Sequence, residues 1–361
     1  MQAGAVTVRM TEARFDNLGG DICQKMSQVS NGIRVSRGRG EEFRKALIDL
    51  GVFDQGLKIL SDEAYVYLPV LDLDDEAAGE LGALGEFELV FAEFLPRERN
   101  PTAEDILGRR PHFEVVGDIA IVDPGDAEEV ALALMKAHRN IKTVIAPMGP
   151  VEGEFRTRRF RHVAGETKTA TLHKEHGLLY KVDLERAYFT PRLGTERLRV
   201  ARQVGPSDLV IDMFAGVGPF ALLMARRGAK VIAIDKNPVA VRLLRENAEL
   251  NRIGNIDILE GDALEIAGVY ERRADHVIMN LPQSAHIFLR PAIKAAREGG
   301  IVHYYSISPE EDLYGRDTAL IEDAALQSGA DIEVIYRDMV RSYAPRQYNV
   351  VIDFRVDKKV R

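Results

Sequence analysis

Hydrophobic positions change their spacing along the chain, and the first regular pattern predicts a small αβ module over residues 32–72. A strand-like run begins at Ile33 and is followed by a segment whose apolar residues share one helical face. Those apolar residues are Phe43, Leu47 and Leu50. Residues 1–31 show no clear periodicity, which predicts a loosely attached extension.

Three further segments follow that module. Residues 73–86 are acidic and punctuated by glycine, which is typical of a linker. Residues 87–182 contain strand-like runs and then a helical run, so they are predicted to form an α+β domain. Strands alternate with helices over residues 183–361, which predicts βαβ units and a mostly parallel sheet. The whole is therefore an α/β protein whose last domain carries the sheet.

A glycine turn stands at the clearest strand-to-helix junction of that last domain. The buried-strand pattern of residues 209–214 runs directly into Gly216 and Gly218, and a helix follows. Glycines allow the backbone to turn tightly and to approach a ligand, while the start of the helix offers free N–H groups. Open parallel sheets bind ligands at the carboxyl ends of their strands, so we expect a ligand there.

Polar side chains end the next three predicted strands at the same edge. Asp235 lies 17 residues after Gly218 (235 − 218) and can accept hydrogen bonds from two ribose hydroxyls. Asp262 follows the next strand and can accept from an adenine amino group. Asn280, in Asn280-Leu281-Pro282, can donate and accept, which suits the edge of a base. An adenosine-containing ligand is predicted.

The glycine spacing alone leaves a dinucleotide cofactor open, because Ala221 occupies the third position of that fingerprint. Two residues argue against a dinucleotide. Pro219 removes a backbone N–H that a pyrophosphate would need, and the Asp212 carboxylate would repel a doubly anionic group. A cofactor with a positive charge is favoured by the same carboxylate.

Charge is distributed unevenly, although the net charge of the chain is -8. Residues 154–202 hold twelve basic and six acidic side chains, with aromatic residues between them. This composition is typical of contacts with RNA phosphates and unstacked bases, and a solvated charged face is the alternative. Cys23 is the single cysteine, so we expect a cytoplasmic protein without a disulfide, and no apolar run is long enough to predict a membrane span.

The segment from Asp212 to Phe220 resembles the first motif of class I methyltransferases, which bind S-adenosylmethionine. Further motifs resemble the archaeal and eukaryotic tRNA (guanine-37-N1)-methyltransferases in the same order along the chain. These motifs are Phe155-Arg156-Thr157-Arg158, Lys181-Val182-Asp183, Tyr188-Phe189-Thr190-Pro191-Arg192-Leu193, Glu196-Arg197 and Asn280-Leu281-Pro282. The resemblance covers residues 33–361. It implies a class I methyltransferase fold preceded by two tRNA-binding domains.

The resemblance also assigns roles to single residues. Glu196 is implied to be the base that removes the guanine N1 proton, Arg156 to face O6, and Asn280 to orient the base. Contacts with the flipped nucleotide and its phosphates are implied for Tyr188, Arg192 and Arg158. Contacts with S-adenosylmethionine are implied for Asp212, Phe214, Gly216, Gly218, Asp235, Asp262, Asn280 and Pro282.

The implied partner is tRNA, bound at its anticodon loop and elbow by a monomeric enzyme that uses no metal. Three alternatives remain at this point. One is the related wybutosine-pathway aminocarboxypropyl transferase, which shares the cofactor, and another is a bifunctional enzyme that also methylates the wyosine precursor. The third is a tRNA-binding scaffold without turnover. Glu196 together with Asn280-Leu281-Pro282 favours methylation over aminocarboxypropyl transfer, and Glu196 argues against the scaffold, while the bifunctional enzyme stays open.

Overall fold

The computed structural model divides into two compact units, residues 1–100 and 101–361. The residues that the structure describes are 11–13, 28–97, 101–151 and 153–358.

The first unit is a mixed five-stranded sheet with two helices. Its elements are β1 (Thr11–Ala13), β2 (Gln28–Ser36), α1 (Gly40–Asp49), β3 (Leu60–Ser61), β4 (Tyr65–Pro69), α2 (Asp75–Leu84) and β5 (Glu88–Phe94). The strand order is β1-β5-β2-β4-β3, with β1 parallel to β5 and the other neighbours antiparallel. Leu47 of α1 and Leu81 of α2 are fully buried with Ile33 of β2 in one apolar core, because these apolar residues recur at helical or strand spacing.

Helix α2 occupies the segment that the sequence predicted to be a linker, so that prediction is wrong. Asp74 caps the helix by accepting a hydrogen bond from the Ala77 N–H, and Ala77 and Leu81 face the core four residues apart. The acidic residues lie on the opposite, solvated face of the same helix. Strand β5 then pairs with β2, so both predicted boundaries, at 72 and 87, fall inside the first unit.

The predicted extension over residues 1–31 lies largely outside the described residues. Its last four residues, 28–31, belong to β2 and pair with β5, so they are an integral part of the sheet. Residues 11–13 form β1 at the other side of β5. For these short segments the prediction of loose attachment is wrong.

The second unit begins with the predicted α+β arrangement, which is confirmed. Its elements are α3 (Ala103–Leu107), β6 (Phe113–Val116), β7 (Ile119–Val122), α4 (Ala127–Ala137), β8 (Thr143–Pro147), β9 (Phe160–Gly165), β10 (Ala170–Glu175) and β11 (Leu178–Asp183). Strands β6 to β9 form one sheet in sequence order, and α3 and α4 bury their apolar residues against it. Strands β10 and β11 form a separate antiparallel hairpin.

A seven-stranded sheet with flanking helices completes the second unit. Its elements are α5 (Gly194–Ala201), β12 (Leu209–Asp212), α6 (Ala221–Arg226), β13 (Lys230–Asp235), α7 (Pro238–Leu250), β14 (Ile256–Glu260), α8 (Ala263–Ile266), β15 (Ala274–Met279), α9 (Leu289–Ala295), β16 (Ala296–Pro309), α10 (Gly315–Gln327), β17 (Ala330–Ala344) and β18 (Gln347–Lys358). The order is β14-β13-β12-β15-β16-β18-β17. The first five strands are parallel and the last two antiparallel, which confirms the predicted mostly parallel sheet.

The β10–β11 hairpin packs on α7, where Asn247 of the helix and Asn251, directly after its end, form hydrogen bonds with the backbone of Lys181 and Leu179. The predicted domain boundary between residues 182 and 183 therefore assigns the hairpin to the wrong domain, because the hairpin packs with the seven-stranded sheet. None of the helices in the described part of the chain combines the length and apolar character needed to cross a bilayer.

Candidate active site

A cavity opens where β12, β13 and β15 end, at the point where the chain reverses its strand order. Such switch points are where doubly wound sheets bind ligands. The residues that line it come from the strand ends and the turns after them, from the start of α7, from α5 and the segment before it, and from the loop before β9. They are Glu154, Phe155, Arg156, Tyr188, Phe189, Thr190, Leu193, Arg197, Phe214, Ala215, Gly216, Pro219, Phe220, Asp235, Lys236, Asn237, Ala240, Asn280 and Leu281.

The two predicted glycines serve different purposes. Both have positive φ, +56° at Gly216 and +93° at Gly218, so both suit glycine. A Cβ at Gly218 would lie 2.2 Å from Cδ1 of Leu244, whereas a Cβ at Gly216 would meet only the Tyr188 carbonyl oxygen, at 3.7 Å. Gly216 lines the cavity and Gly218 packs against α7, so only the first leaves room for a ligand.

Asp235 lies where the sequence predicted it, at the end of β13 and on the cavity wall. Its two carboxylate oxygens accept hydrogen bonds from the backbone N–H groups of Gly216 (2.7 Å) and Asn237 (2.8 Å). Burial raises the pKa of Asp235, and these backbone donors oppose that shift. The carboxylate is thereby fixed in place, with acceptor capacity left for a ligand.

Asp212 does not line the cavity, although it ends the central strand β12. It is 1 % exposed, and burial raises its pKa to about 7. Oδ1 accepts a long hydrogen bond from the Phe214 N–H (3.3 Å), while Oδ2 has no partner among the described residues. A buried carboxylate with one unsatisfied oxygen is a favourable neighbour for a cation.

The structure separates the other predicted cofactor residues. Phe214 and Asn280 line the cavity, and the Phe214 ring is held edge-to-face on Phe288 at 4.8 Å. Asp262 is not part of the lining, because its carboxylate caps α8 through the Leu264 N–H (2.9 Å). Pro282 lies in a second depression, beside Ser306 and Asp317 of β16 and α10.

Arg156 and Tyr188 also line the cavity, and their side chains meet there. The Arg156 guanidinium carbon lies 5.1 Å from the Tyr188 ring centre, and Arg156 has a φ of +52°. A residue other than glycine with a positive backbone φ is uncommon, and such residues cluster at active sites and ligand-binding segments. The two remaining predicted substrate residues lie elsewhere: Arg158 is outside the lining, and Arg192 pairs with Glu114 of β6 at 2.9 Å.

Glu196 is not on the cavity wall either. It is 9 % exposed and lies on α5. Both of its carboxylate oxygens accept hydrogen bonds from Arg199, and one of them also accepts from Tyr305. Leu193, three residues before it, and Arg197, directly after it, do line the cavity, so Glu196 belongs to the same segment as two lining residues.

Arg197 is a cavity residue to which the sequence assigned no role. It is 2 % exposed, donates to both Glu175 oxygens (2.9 and 2.7 Å) and to the Thr190 carbonyl (2.7 Å), and covers the Phe189 ring. Burial of an arginine requires charged partners such as Glu175, although the buried Nε of Arg197 has no partner among the described residues. Glu175 is 22 residues away on β10, and no local spacing in the sequence indicated the pair.

The basic segment predicted to contact RNA is largely neutralised. Seven of its twelve cations pair with carboxylates, several of them from outside the segment. The paired cations are Arg161, Lys168, Lys181, Arg186, Arg192, Arg197 and Arg199. The excess of six basic over acidic side chains in residues 154–202 therefore overstates the positive charge of this surface. Acids distant in sequence, such as Glu128 and Asp353, neutralise part of it.

The cavity lining combines a carboxylate, aromatic rings and a cation. Asp235 suits a diol, the aromatic rings suit flat bases, and Arg156 suits a developing negative charge. Among the residues that the structure describes there is no group of three or more side chains suited to holding a metal ion.

Comparison with known families covers nearly all of the described chain. Residues 171–335 match the TRM5/TYW2 methyltransferase domain, residues 32–78 the tRNA methyltransferase 5 N-terminal domain, and residues 98–169 the TYW2 N-terminal domain. The first of these begins inside β10, in agreement with the packing of the hairpin on the seven-stranded sheet.

Individual relatives show the same similarity. The tRNA (guanine(37)-N(1))-methyltransferase Trm5b of Pyrococcus abyssi is 39% identical over 338 residues, which is 90% of this chain and 98% of that protein. A solved complex of aTrm5 and tRNALeu is 33% identical, with a TM-score of 0.63 over 90% of this chain and 99% of that one. The tRNA(Phe) (4-demethylwyosine(37)-C(7)) aminocarboxypropyltransferase of Pyrococcus horikoshii is 34% identical over 60% of this chain and 78% of that protein.

Proposed function

Because the chain belongs to the archaeal and eukaryotic tRNA (guanine-37-N1)-methyltransferase family, we propose that it transfers a methyl group from S-adenosylmethionine to N1 of guanosine 37 in tRNA. The observation that carries this proposal is the cavity at the β12, β13 and β15 strand ends, whose lining includes Asp235, Asn280, Arg156 and Tyr188. The first two residues suit an adenosyl group, and the other two suit a purine.

The residues present fit S-adenosylmethionine. Asp235 would accept from the ribose hydroxyls, Phe214 and Asn280 would contact the adenine, and Gly216 leaves the space that a side chain would fill. The unsatisfied Oδ2 of Asp212 would favour the positive charges of the cofactor. When bound, S-adenosylmethionine supplies an activated methyl group. Gly218 acts indirectly, by letting α7 pack against the turn, and Asp262 through its cap and its contact with Lys236.

Guanine N1 carries a proton at neutral pH, so its methylation needs a group that accepts this proton. We assign this role to Glu196, the carboxylate next in sequence to the lining residue Arg197. Arg156 would stabilise negative charge that shifts onto O6, and Asn280 would hold the base edge. Tyr188 would stack on the flipped guanine, because a base inside the anticodon stack cannot enter a cavity at strand ends.

The partner is tRNA, and both units are proposed to contact it. The match of residues 32–78 to the tRNA methyltransferase 5 N-terminal domain supports a role of the first unit at the tRNA elbow, while the second unit takes the anticodon loop. Arg158 and Arg192 are proposed phosphate contacts, although Arg192 would have to leave Glu114. We propose that the enzyme acts as a monomer in the cytoplasm.

The test uses tRNA transcripts with guanine or adenine at position 37 and S-adenosylmethionine labelled either in its methyl group or in its aminocarboxypropyl chain. Methyl label is expected in 1-methylguanosine, with the guanine transcript alone. Transfer of the aminocarboxypropyl label, or of neither label, would refute the methyltransferase proposal. Methyl label appearing in a tRNA that carries the wyosine precursor would add the second, bifunctional activity.

A further inference from the structure

The carboxylate of Glu196 is held by donors from two elements, and its two oxygens are not equivalent. Oε1 accepts from the Tyr305 hydroxyl (2.6 Å) and from Nη2 of Arg199 (2.8 Å). Oε2 accepts from Nε of Arg199 alone (2.8 Å). A carboxylate oxygen has about two acceptor positions. Oε1 is therefore filled, and Oε2 keeps one lone pair free.

We propose that Tyr305 and Arg199 are positioning residues that hold the Glu196 carboxylate in place and leave Oε2 as the oxygen that takes the guanine N1 proton. This inference rests on the proposed function, in which Glu196 is the base. In the proton-transfer step the N1–H bond breaks and an O–H bond forms at Oε2. The electron pair left on N1 then makes the bond to the incoming methyl carbon as the bond between that carbon and the donor's sulfonium sulfur breaks, and its electron pair stays on sulfur as a neutral thioether.

Arg199 is itself anchored from the other side of its guanidinium. Nη1 lies 2.6 Å from Oδ2 of Asp353, and the guanidinium covers the Tyr336 ring at 4.3 Å. Asp353 is fully buried on β18, and Nδ1 of His303 lies 2.9 Å from its second oxygen. Burial alone would raise the pKa of Asp353, but His303 and Arg199 hold it well below its usual range.

The chain of contacts continues to His276, whose Nδ1 lies 3.1 Å from Nε2 of His303 and whose pKa is lowered to about 4, first by burial and then by the His303 charge. Asp208 lies 3.6 Å from the far side of His276. Because His303 and Arg199 hold its pKa low, Asp353 remains an anion whether or not Glu196 carries a proton. Arg199 keeps a charged partner after proton transfer, so the clamp survives each turnover.

Tyr305 stays a donor throughout, because burial and the nearby Glu196 carboxylate raise its pKa well above 10. Its neighbour Tyr304 provides a matched control. The Tyr304 hydroxyl also donates to a buried carboxylate, that of Asp317 at 2.9 Å, but it points to the other face of the sheet. Replacing either tyrosine by phenylalanine removes one hydroxyl-to-carboxylate hydrogen bond from β16.

The experiment measures single-turnover methyl transfer against pH, at saturating tRNA and S-adenosylmethionine, for Tyr305→Phe, Tyr304→Phe, Arg199→Lys and Arg199→Gln. A carboxylate that loses a donor or a cation binds a proton more readily, so the acid limb should move to higher pH by about one unit in Tyr305→Phe and further in Arg199→Gln. Transfer should fall about ten-fold below the limb and recover above it. Arg199→Lys keeps the positive charge but lacks the two parallel donors of the guanidinium. The pH of its acid limb should therefore lie close to that of the unsubstituted protein, while its transfer rate stays lower.

Loss of Arg199 leaves Asp353 short of a partner, so Tyr305→Phe is the primary variant and thermal unfolding is recorded for all four proteins. An acid limb that does not move in Tyr305→Phe, or that moves equally in Tyr304→Phe, would overturn the clamp. The proposed base is judged separately by Glu196→Gln. If that variant is inactive while the limb of Tyr305→Phe is unmoved, Glu196 stands as the base and the clamp alone fails.

Discussion

The two sides of the active-site cavity are built in different ways. On the cofactor side, Gly216, Asp235 and Asn280 are fixed by backbone geometry, each at the end of a parallel strand. On the substrate side, the position of Glu196 depends on Tyr305, 109 residues away, and on Arg199, whose other partner is Asp353. A cofactor side set by strand ends is local in sequence, whereas a substrate side set by long-range side-chain pairs is not.

This difference predicts that single changes will act differently on the two sides. Changes on the cofactor side should alter folding, cofactor binding or both, because the same turn carries both. Changes on the substrate side should alter the chemical step while cofactor affinity stays nearly constant. The following variants test this division.

The largest effect is expected for Glu196→Gln. Removing the proposed base should lower single-turnover methyl transfer by about 10²–10⁴-fold, since general bases contribute this much. Affinity for S-adenosylmethionine and tRNA, measured by calorimetry and filter binding, should change little. Asp317→Asn is the control, because it neutralises another buried carboxylate of the same unit. Unchanged transfer in Glu196→Gln would remove Glu196 from the mechanism.

The same division explains how much the sequence could predict. Strand period, the glycine turn and the residues after each strand are local signals, so the parallel sheet and the positions of Asp235 and Asn280 were predictable. The arrangement of Glu196 and the burial of Arg197 were not, because their partners are distant in sequence. The linker prediction failed for a related reason: the acidic residues of 73–86 concealed Ala77 and Leu81, which face the core.

Within the cofactor side, Gly218→Ala and Gly216→Ala should separate folding from binding. The new methyl group at Gly218 would overlap Leu244, so we expect a loss of about 2 kcal/mol or more in the free energy of unfolding, measured with urea. At Gly216 the left-handed φ should cost only about 1 kcal/mol, while the methyl group enters space that the cofactor needs. Equal losses of stability in the two variants would contradict this division of roles.

Asp212→Asn should make the free protein more stable and its cofactor binding weaker. The Asp212 pKa is raised from 3.8 to about 7, so the folded protein holds a proton that the unfolded chain has lost between these pH values. Stability of the unsubstituted protein therefore falls as pH rises through this window and levels off above pH 7. The gain in Tm of Asp212→Asn should grow from pH 5 to pH 8, and S-adenosylmethionine affinity at pH 8 should drop about ten-fold. A gain independent of pH would show that the carboxylate is not the cause.

The smallest effect concerns the outer margin of the substrate side, where composition overstated the positive charge. Arg158 has no carboxylate partner among the described residues, whereas Arg161, three positions on, pairs with Glu128 at 2.7 Å. A phosphate contact releases counterions, so Arg158→Ala should weaken tRNA binding a few-fold and reduce the slope of log K against log salt by about one. Arg161→Ala should leave that slope nearly unchanged, because its cation is already neutralised. If both variants change the slope equally, then Arg161 contacts RNA in spite of its ion pair with Glu128. In that case the count of basic residues in the sequence would predict this RNA-binding surface better than the ion pairs do.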